Sequence, residues 1–87
     1  MKLFTKQQKI VYKSSISLSN NTNKPLTLHI EPWGSQIPMP PDSTFQIVAV
    51  AQEQGELEID YQENDILVWA WRSSILTVFS NGAEIFC

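Results

Sequence analysis

Apolar and polar residues alternate singly along much of this chain, and this period of two constrains its fold more than any other feature. The clearest case is segment 56–61, where Leu57, Ile59 and Tyr61 alternate with acidic residues. Successive side chains of a β-strand point to opposite faces, so the alternation indicates a strand with one face in the core and one in water. We therefore expect Leu57, Ile59 and Tyr61 to point inward.

Similar segments recur about every ten residues and are separated by clusters of turn-forming residues. One separator is Asn81-Gly82, whose two residues accept a positive φ and so favour a tight β-hairpin. No segment shows the apolar period of about 3.6 residues that is typical of a helix. The sequence thus predicts an all-β fold, a small antiparallel β-sandwich or barrel of about seven or eight strands with little or no helix.

The length of 87 residues predicts a single domain over residues 1–87, and residues 1–8, which show no sustained period, are expected to form a loose N-terminal arm. A domain of this size buries only about 60% of its unfolded surface. The single cysteine, Cys87, excludes an internal disulfide, so nearly every large apolar side chain must be covered. Segments 66–71 and 75–80 are apolar on both faces, which indicates strands that lie between layers or are covered by the arm or a partner. We hypothesise a homodimer on this ground.

The charges are divided unevenly along the chain. Five lysines and no acid give residues 1–30 a net charge of +5, whereas one arginine and nine acids give residues 31–87 a net charge of −8. We interpret this division as strands of opposite charge that pair with each other. The alternative is a basic arm that binds nucleic acid or anionic lipid. Because nucleic-acid-binding modules are typically strongly basic and this pI is about 4.9, we expect no nucleic-acid partner.

No feature of the sequence predicts a membrane segment or secretion. The longest apolar run, residues 66–71, is far shorter than the roughly 18 residues that a membrane span needs. The N-terminal residues lack the apolar core of a signal peptide. A single cysteine agrees with a reducing compartment. We therefore expect a soluble, cytoplasmic protein with no membrane partner.

Residues suited to catalysis or metal binding are scarce. The chain has one histidine, one cysteine and three glycines, too few for a zinc site, a blue-copper site or a phosphate-binding glycine loop. We expect His29 to be a solvent-facing strand residue. Glu56, Glu58 and Asp60 are interpreted as solvated charges rather than as a catalytic pair. The sequence predicts no enzyme activity, no catalytic residue, no cofactor and no metal.

The best candidate for a binding loop is the segment Glu31-Pro32-Trp33-Gly34, which interrupts the alternation. Trp33 either stacks on a sugar ring, a base or a proline-rich peptide, or it folds back and plugs one end of the sandwich. The neighbouring Glu31 and Gly34 complete this candidate site.

A second candidate is an apolar stripe formed by Leu67, Trp69 and Trp71. These residues are two positions apart, so they are expected to share one face of their strand. Such a stripe is either part of the core or, if uncovered, an interaction patch.

Part of the chain resembles a group of small uncharacterised bacterial proteins. The residues that carry the resemblance are Asn23-Lys-Pro-Leu-Thr-Leu-His-Ile-Glu-Pro-Trp-Gly34, Ile37-Pro-Met-Pro-Pro41 and Phe45-Gln-Ile-Val48. The shared pattern is a strand that ends in Glu-Pro-Trp-Gly, a proline-rich turn and a strand that starts with an aromatic residue. The resemblance implies no activity, ligand or site residue. The proline-rich turn also resembles those of cupredoxin-like and immunoglobulin-like sandwiches, a similarity of fold only.

Two hypotheses about function follow. The first is a non-enzymatic protein-interaction or assembly module that pairs with itself or with another protein, through the Leu67/Trp69/Trp71 stripe or the Trp33 loop. The second is a small-ligand or carbohydrate-binding domain that uses Trp33 with Glu31. The exposure of Trp33 discriminates between a binding loop and a core plug.

Overall fold

The protein is built from β-strands. The structure, a computed structural model, describes residues 11–86, and within them it contains eight strands and no helix. The strands are β1 (Tyr12–Ser19), β2 (Leu26–Glu31), β3 (Ser35–Met39), β4 (Thr44–Ala51), β5 (Glu58–Tyr61), β6 (Asp65–Trp69), β7 (Ile75–Ser80) and β8 (Ala83–Phe86). The predicted all-β class is confirmed, whereas the predicted loose arm, residues 1–8, lies outside the described residues. No helix that could cross a membrane is found in residues 11–86.

The strands form two four-stranded sheets, as in a β-sandwich. Sheet A has the order β1-β4-β7-β8, and sheet B has the order β3-β2-β6-β5. The chain leaves sheet A after β1, makes the β2–β3 hairpin in sheet B and returns for β4. It then makes the β5–β6 hairpin in sheet B and closes sheet A with the β7–β8 hairpin. Neighbours in sequence are therefore often neighbours in a sheet, as short turns require.

One strand pair departs from the predicted antiparallel arrangement. β2 and β6, the two central strands of sheet B, run parallel, with His29 opposite Leu67 and Glu31 opposite Trp69. A parallel pair needs a long crossover connection, and β3, β4 and β5 together supply it. Alternation within a strand does not encode the direction of its neighbour, so the sequence pattern could not distinguish the two arrangements.

The core lies between the sheets and takes every second residue of most strands. In β2 the buried residues Leu26, Leu28 and Ile30 alternate with half-exposed ones. The period of two in the sequence is therefore the period of packing. The buried core consists of Leu18, Leu26, Leu28, Ile30, Met39, Phe45, Ile47, Ala49, Ile66, Val68, Leu76 and Val78.

The β7–β8 hairpin has the predicted tight turn. Asn81 and Gly82 both have a positive φ, of 54° and 81°, as a two-residue hairpin turn of the primed type requires. Ser80 lies opposite Ala83 directly beside this turn. The turn chemistry of this dipeptide was sufficient to predict the hairpin.

β5 is shorter and less buried than the sequence predicts. The strand begins at Glu58 rather than near residue 56, and Tyr61, which was expected to point inward, is 66% exposed. The prediction for Tyr61 was wrong because β5 is an edge strand, so only β6 covers it, and Tyr61 ends the strand. Leu57 and Ile59 are half-buried and pack against the core as expected.

The described lysines do not pair with acidic strands. Lys13 lies opposite Val50 in sheet A, and Lys24 lies in the turn before β2. Within residues 11–86 no lysine or arginine forms an ion pair, and the one contact of a basic side chain with a carboxylate is between His29 and Asp65. The predicted complementarity is therefore wrong for Lys13 and Lys24; the other three early lysines lie outside the described residues.

The buried side chain of Asn20 connects two turns through hydrogen bonds. Its Nδ2 donates to the carbonyl oxygens of Lys24 and Met39, both at 2.9 Å. Its Oδ1 accepts from the backbone N–H of Thr22 at 3.0 Å and from the Thr22 hydroxyl at 2.6 Å. Because Asn20 is 0% exposed, the sequon Asn20-Asn21-Thr22 offers no accessible acceptor for a glycan in the folded chain.

Candidate functional site

Trp33 lies at the tip of the β2–β3 hairpin and projects into solvent. The side chain of Glu31 closes the turn, since its Oε1 accepts from the backbone N–H of Gly34 at 3.2 Å. Gly34 has a φ of 73°, which a residue with a side chain rarely adopts. The Trp33 side chain is 51% exposed, so it does not plug the end of the sandwich. A binding role for the Trp33 loop stays a prediction.

The second candidate, Leu67 and Trp69, lies on the outer face of sheet B. Trp69 is 44% exposed and stands between Glu31 of β2 and Glu58 of β5. Leu67 is half-buried and stands between His29 and Asp60 on the same face. The pairing of β2 with β6 therefore brings Glu31 and Trp69 side by side, although they are distant in sequence.

Trp71 does not belong to this face, and the predicted stripe of three residues is wrong. β6 ends at Trp69, so Trp71 lies beyond the strand. The indole of Trp71 covers Gly55 so closely that a Cβ at Gly55 would overlap it. Its Nε1–H donates to the carbonyl oxygen of Glu53 at 2.9 Å. Trp71 thus packs against the core, whereas Leu67 and Trp69 remain outside.

All three tryptophans lie at one end of the sandwich. β2 and β6 are parallel, so their C-terminal ends, which carry Trp33 and Trp69, point the same way. The backbone confirms this proximity, because the N–H of Ala70 donates to the carbonyl oxygen of Glu31 at 2.9 Å. β7 begins at this end as well, a few residues after β6.

The start of β7 adds an exposed apolar residue that the candidate list from the sequence did not contain. Ile75 is 66% exposed on the outer side of sheet A, opposite Val50, which is 36% exposed. An open cavity of about 360 Å³ lies on one side of it and is lined by Trp33, Ser74, Ile75, Leu76 and Phe86. The apolar character of segment 75–80 on both faces was the signal that could have identified this residue.

A second open cavity shares Ile75 with the first. It has a volume of about 530 Å³ and is lined by Val11, Val50, Ala51, Gln52, Glu53, Ser73 and Ile75. Val11 is 56% exposed there. We use the name Ile75 surface for five apolar residues that line the two cavities, the exposed Val11, Trp33, Val50 and Ile75 and the half-buried Phe86.

The described residues carry a net negative charge, although Lys13 lies beside Val50 on the face that carries Ile75. The described residues contain three basic side chains, Lys13, Lys24 and Arg72, against all nine acids of the chain. Glu53 lines the larger cavity, and Glu31 belongs to the Trp33 turn. Any partner of this end of the molecule therefore meets apolar side chains bordered by the carboxylates of Glu31 and Glu53 and by the ammonium group of Lys13.

The polar side chains of His29 and Asp65 form a further contact outside the Ile75 surface. Nε2 of His29 and Oδ1 of Asp65 are 2.7 Å apart on the outer face of sheet B, between the two parallel strands. The side chains are 21% and 38% exposed, so His29 faces outward as predicted but is partly covered. No group of three or more potential metal ligands occurs in the part of the chain that the structure describes.

Comparisons with known proteins give no relative: no family model, curated protein or solved structure matches the chain significantly. The resemblance to small bacterial proteins with a Glu-Pro-Trp-Gly motif therefore stays a prediction. The function has to be inferred from the surface itself.

Proposed function

We propose that this protein is a non-enzymatic protein-interaction module that binds an extended, basic and apolar segment of a partner chain on the Ile75 surface. The observation that carries the proposal is the pair of open cavities that flank Ile75, a residue with 66% exposure. Large exposed apolar residues that are grouped, rather than scattered, mark interaction sites on small proteins.

The chemistry of the partner follows from the lining of the surface. Trp33 and Phe86 form an aromatic wall on one side of Ile75, and Val11 and Val50 form an aliphatic wall on the other. Apolar side chains of a partner would fill both cavities. The carboxylates of Glu31 and Glu53 favour lysine or arginine at the partner positions next to them, since opposite charges steer association, whereas Lys13 disfavours a basic residue beside Val50.

An extended segment fits this place better than a globular surface. The two cavities follow each other along the end of sheet A and meet at Ile75. Alternate side chains of an extended peptide lie about 7 Å apart, so successive ones can enter neighbouring depressions. Trp33, which has a rigid ring and partial exposure, is suited to be the anchor of such a contact.

The carbohydrate-binding alternative has less support from the polar groups. A sugar needs hydrogen-bonding side chains beside the stacked ring. Glu31 already accepts from Gly34, and the hydroxyl of Ser74 donates to the carbonyl oxygen of Trp71 at 2.6 Å. The cavity beside Trp33 is thus lined mainly by apolar groups.

The test is a selection of phage-displayed random peptides on the immobilised protein, followed by titration of the enriched peptides. We expect enriched sequences that combine apolar residues with lysine or arginine. Ile75→Glu and Trp33→Ala should each weaken their binding by about 30-fold, the effect of removing an interface anchor worth about 2 kcal/mol. Tyr61→Ser is the matched control. Tyr61 is as exposed as Ile75, at 66%, but it lies at the end of β5 away from Trp69 and belongs to the other sheet.

Three results would contradict the proposal. The first is that no peptide is enriched. The second is that the enriched peptides bind the Ile75→Glu variant as tightly as the parent, or that Tyr61→Ser weakens them equally. The third is a glycan array that shows Trp33-dependent binding unaffected by Ile75→Glu, which would support the carbohydrate alternative.

A further inference from the structure

The four edge strands of the two sheets differ in how well they resist pairing with another strand. β3 contains Pro38, which has no backbone N–H to donate. β5 and β8 have four residues each and carry Glu58 and Asp60, or Glu84. Prolines, charges and short length are the usual means by which a protein blocks edge-to-edge association. Three of the four edges are therefore protected.

β1 lacks these protections. It has eight residues, no proline and one charged residue, Lys13. Its hydrogen-bonded neighbour within residues 11–86 is β4 alone, so one side of a long strand offers its backbone N–H and C=O groups. Such an edge is a template for another strand.

The side chains of β1 are also incompletely covered on the core side. Ser14 and Ile16 are half-exposed, although the residues opposite them in β4, Ala49 and Ile47, are 0% exposed. The difference arises because β1 has a neighbour on one side only. An additional strand beside β1 would cover Ile16 and complete this margin of the core.

We propose that β1 pairs antiparallel with β1 of a second copy of this chain, with Ser15 of one copy opposite Ser15 of the other. In this register Lys13 lies opposite Ser17, and Ser14 lies opposite Ile16, so residues of the same face meet and no like charges are opposed. A register centred on Lys13 would oppose two lysines instead. The self-complementary pattern of β1 thus selects a second copy as its partner.

The dimer joins the two A sheets into one continuous sheet of eight strands and goes beyond the peptide-binding proposal. β1 and the start of β7 are separated by β4, so Val50 and Ile75 stay uncovered in both copies, whereas Val11 lies at the margin of the strand pair, opposite Ser19 of the second copy. The antiparallel pairing places the two Ile75 surfaces at opposite ends of the joined sheet. Since the contact consists of one strand, it falls among small, transient interfaces, and association is expected only at high protein concentration.

The experiment uses the two charge variants Ser15→Lys and Ser15→Glu of the full chain. Sedimentation velocity from about 1 µM to about 1 mM, a range that covers weak complexes, should show the parent shifting from monomer to dimer. Each variant alone should raise the dimer dissociation constant at least about tenfold, because like charges face each other across the pairing axis. An equimolar mixture of the two variants should restore association. Ser15 is exposed, so neither variant is expected to affect folding, which far-ultraviolet circular dichroism checks.

Gln46→Lys is the control, since Gln46 is exposed on the same side of sheet A but belongs to the central strand β4. It should leave the dissociation constant of the dimer unchanged. A parent chain that stays monomeric throughout the range refutes the proposal. A Ser15→Glu variant that dimerises more tightly refutes the register, because Ser15 would then lie opposite Lys13. Refutation of the dimer would not affect the peptide-binding proposal, since the peptide titrations are made at concentrations at which the chain is monomeric.

Discussion

Replacement of Asn20 tests how much this small fold depends on one buried amide. Four hydrogen bonds join the Asn20 side chain to Thr22, Lys24 and Met39, and the amide is fully buried. The backbone of Asn20 also bonds to the turn before β4, donating to the carbonyl oxygen of Ser43 at 2.9 Å. The residue thus connects the turn that follows β1 with the turn that follows β3.

The magnitude follows from the surroundings of each bond. The bond to Met39 is buried, so Asn20→Ala leaves a carbonyl without water or a donor, which costs about 1–3 kcal/mol. The other three bonds are partly exposed, and water replaces them at a cost of about 0.5–1 kcal/mol each. We therefore expect Asn20→Ala to lower the free energy of unfolding by about 3–5 kcal/mol. Small domains have only about 5–15 kcal/mol in total, so much of the stability would be lost.

Asn20→Asp separates hydrogen bonding from packing. The variant keeps the shape of the side chain and the acceptor for Thr22, but it presents an oxygen to the carbonyls of Lys24 and Met39. If the donated hydrogen bonds matter, it destabilises at least as much as Asn20→Ala. Urea unfolding followed by tryptophan fluorescence measures both, with Asn21→Ala, an exposed neighbour, as the control expected within about 0.5 kcal/mol of the parent. A loss below about 1 kcal/mol for Asn20→Ala, or near-parental stability of Asn20→Asp, would refute this reasoning.

Two further predictions concern side-chain contacts. Gly55→Ala should lower the free energy of unfolding by about 1–3 kcal/mol, because the added methyl group overlaps the indole of Trp71; a parental midpoint in urea would show that the indole can move away freely. His29→Ala and Asp65→Ala, combined in a double-mutant cycle, should give a coupling free energy of about 0.2–1 kcal/mol at neutral pH, since both side chains are partly exposed; a coupling of several kcal/mol would contradict this weak cross-strand contact.

The sequence was sufficient for the elements of the fold but not for their arrangement. Alternation identified the strands and the inward residues of β2 and β4, and Asn81-Gly82 identified a hairpin. These are local properties, set by one strand or one turn. The parallel pairing of β2 and β6 depends on the path of the chain between them, and a local pattern carries no information about that path.

The same distinction explains the outcome for the candidate site. The exposure of Trp33 could not be read from its loop, because proline and glycine around a tryptophan suit both a plug and an exposed tip. The separation of Trp71 from Trp69 depends on where β6 ends, and strand ends are the least predictable part of a pattern. Asn20, which reads as an ordinary turn residue, is the buried amide that holds two turns together.

The strands that are apolar on both faces are the point at which sequence and structure together indicate function. A two-layer sandwich covers only one face of each sheet, so Trp69 of β6 and Ile75 of β7, which lie on outer faces, stay exposed in the part of the chain described. The apolar inner face of each strand is explained by the core, but the apolar outer face is not. An outer face that contacts water usually carries polar residues. β1 is an example, with serine at three of its outer positions, Ser15, Ser17 and Ser19. The partner proposed above would cover such residues, and its side chains would enter the two cavities beside Ile75.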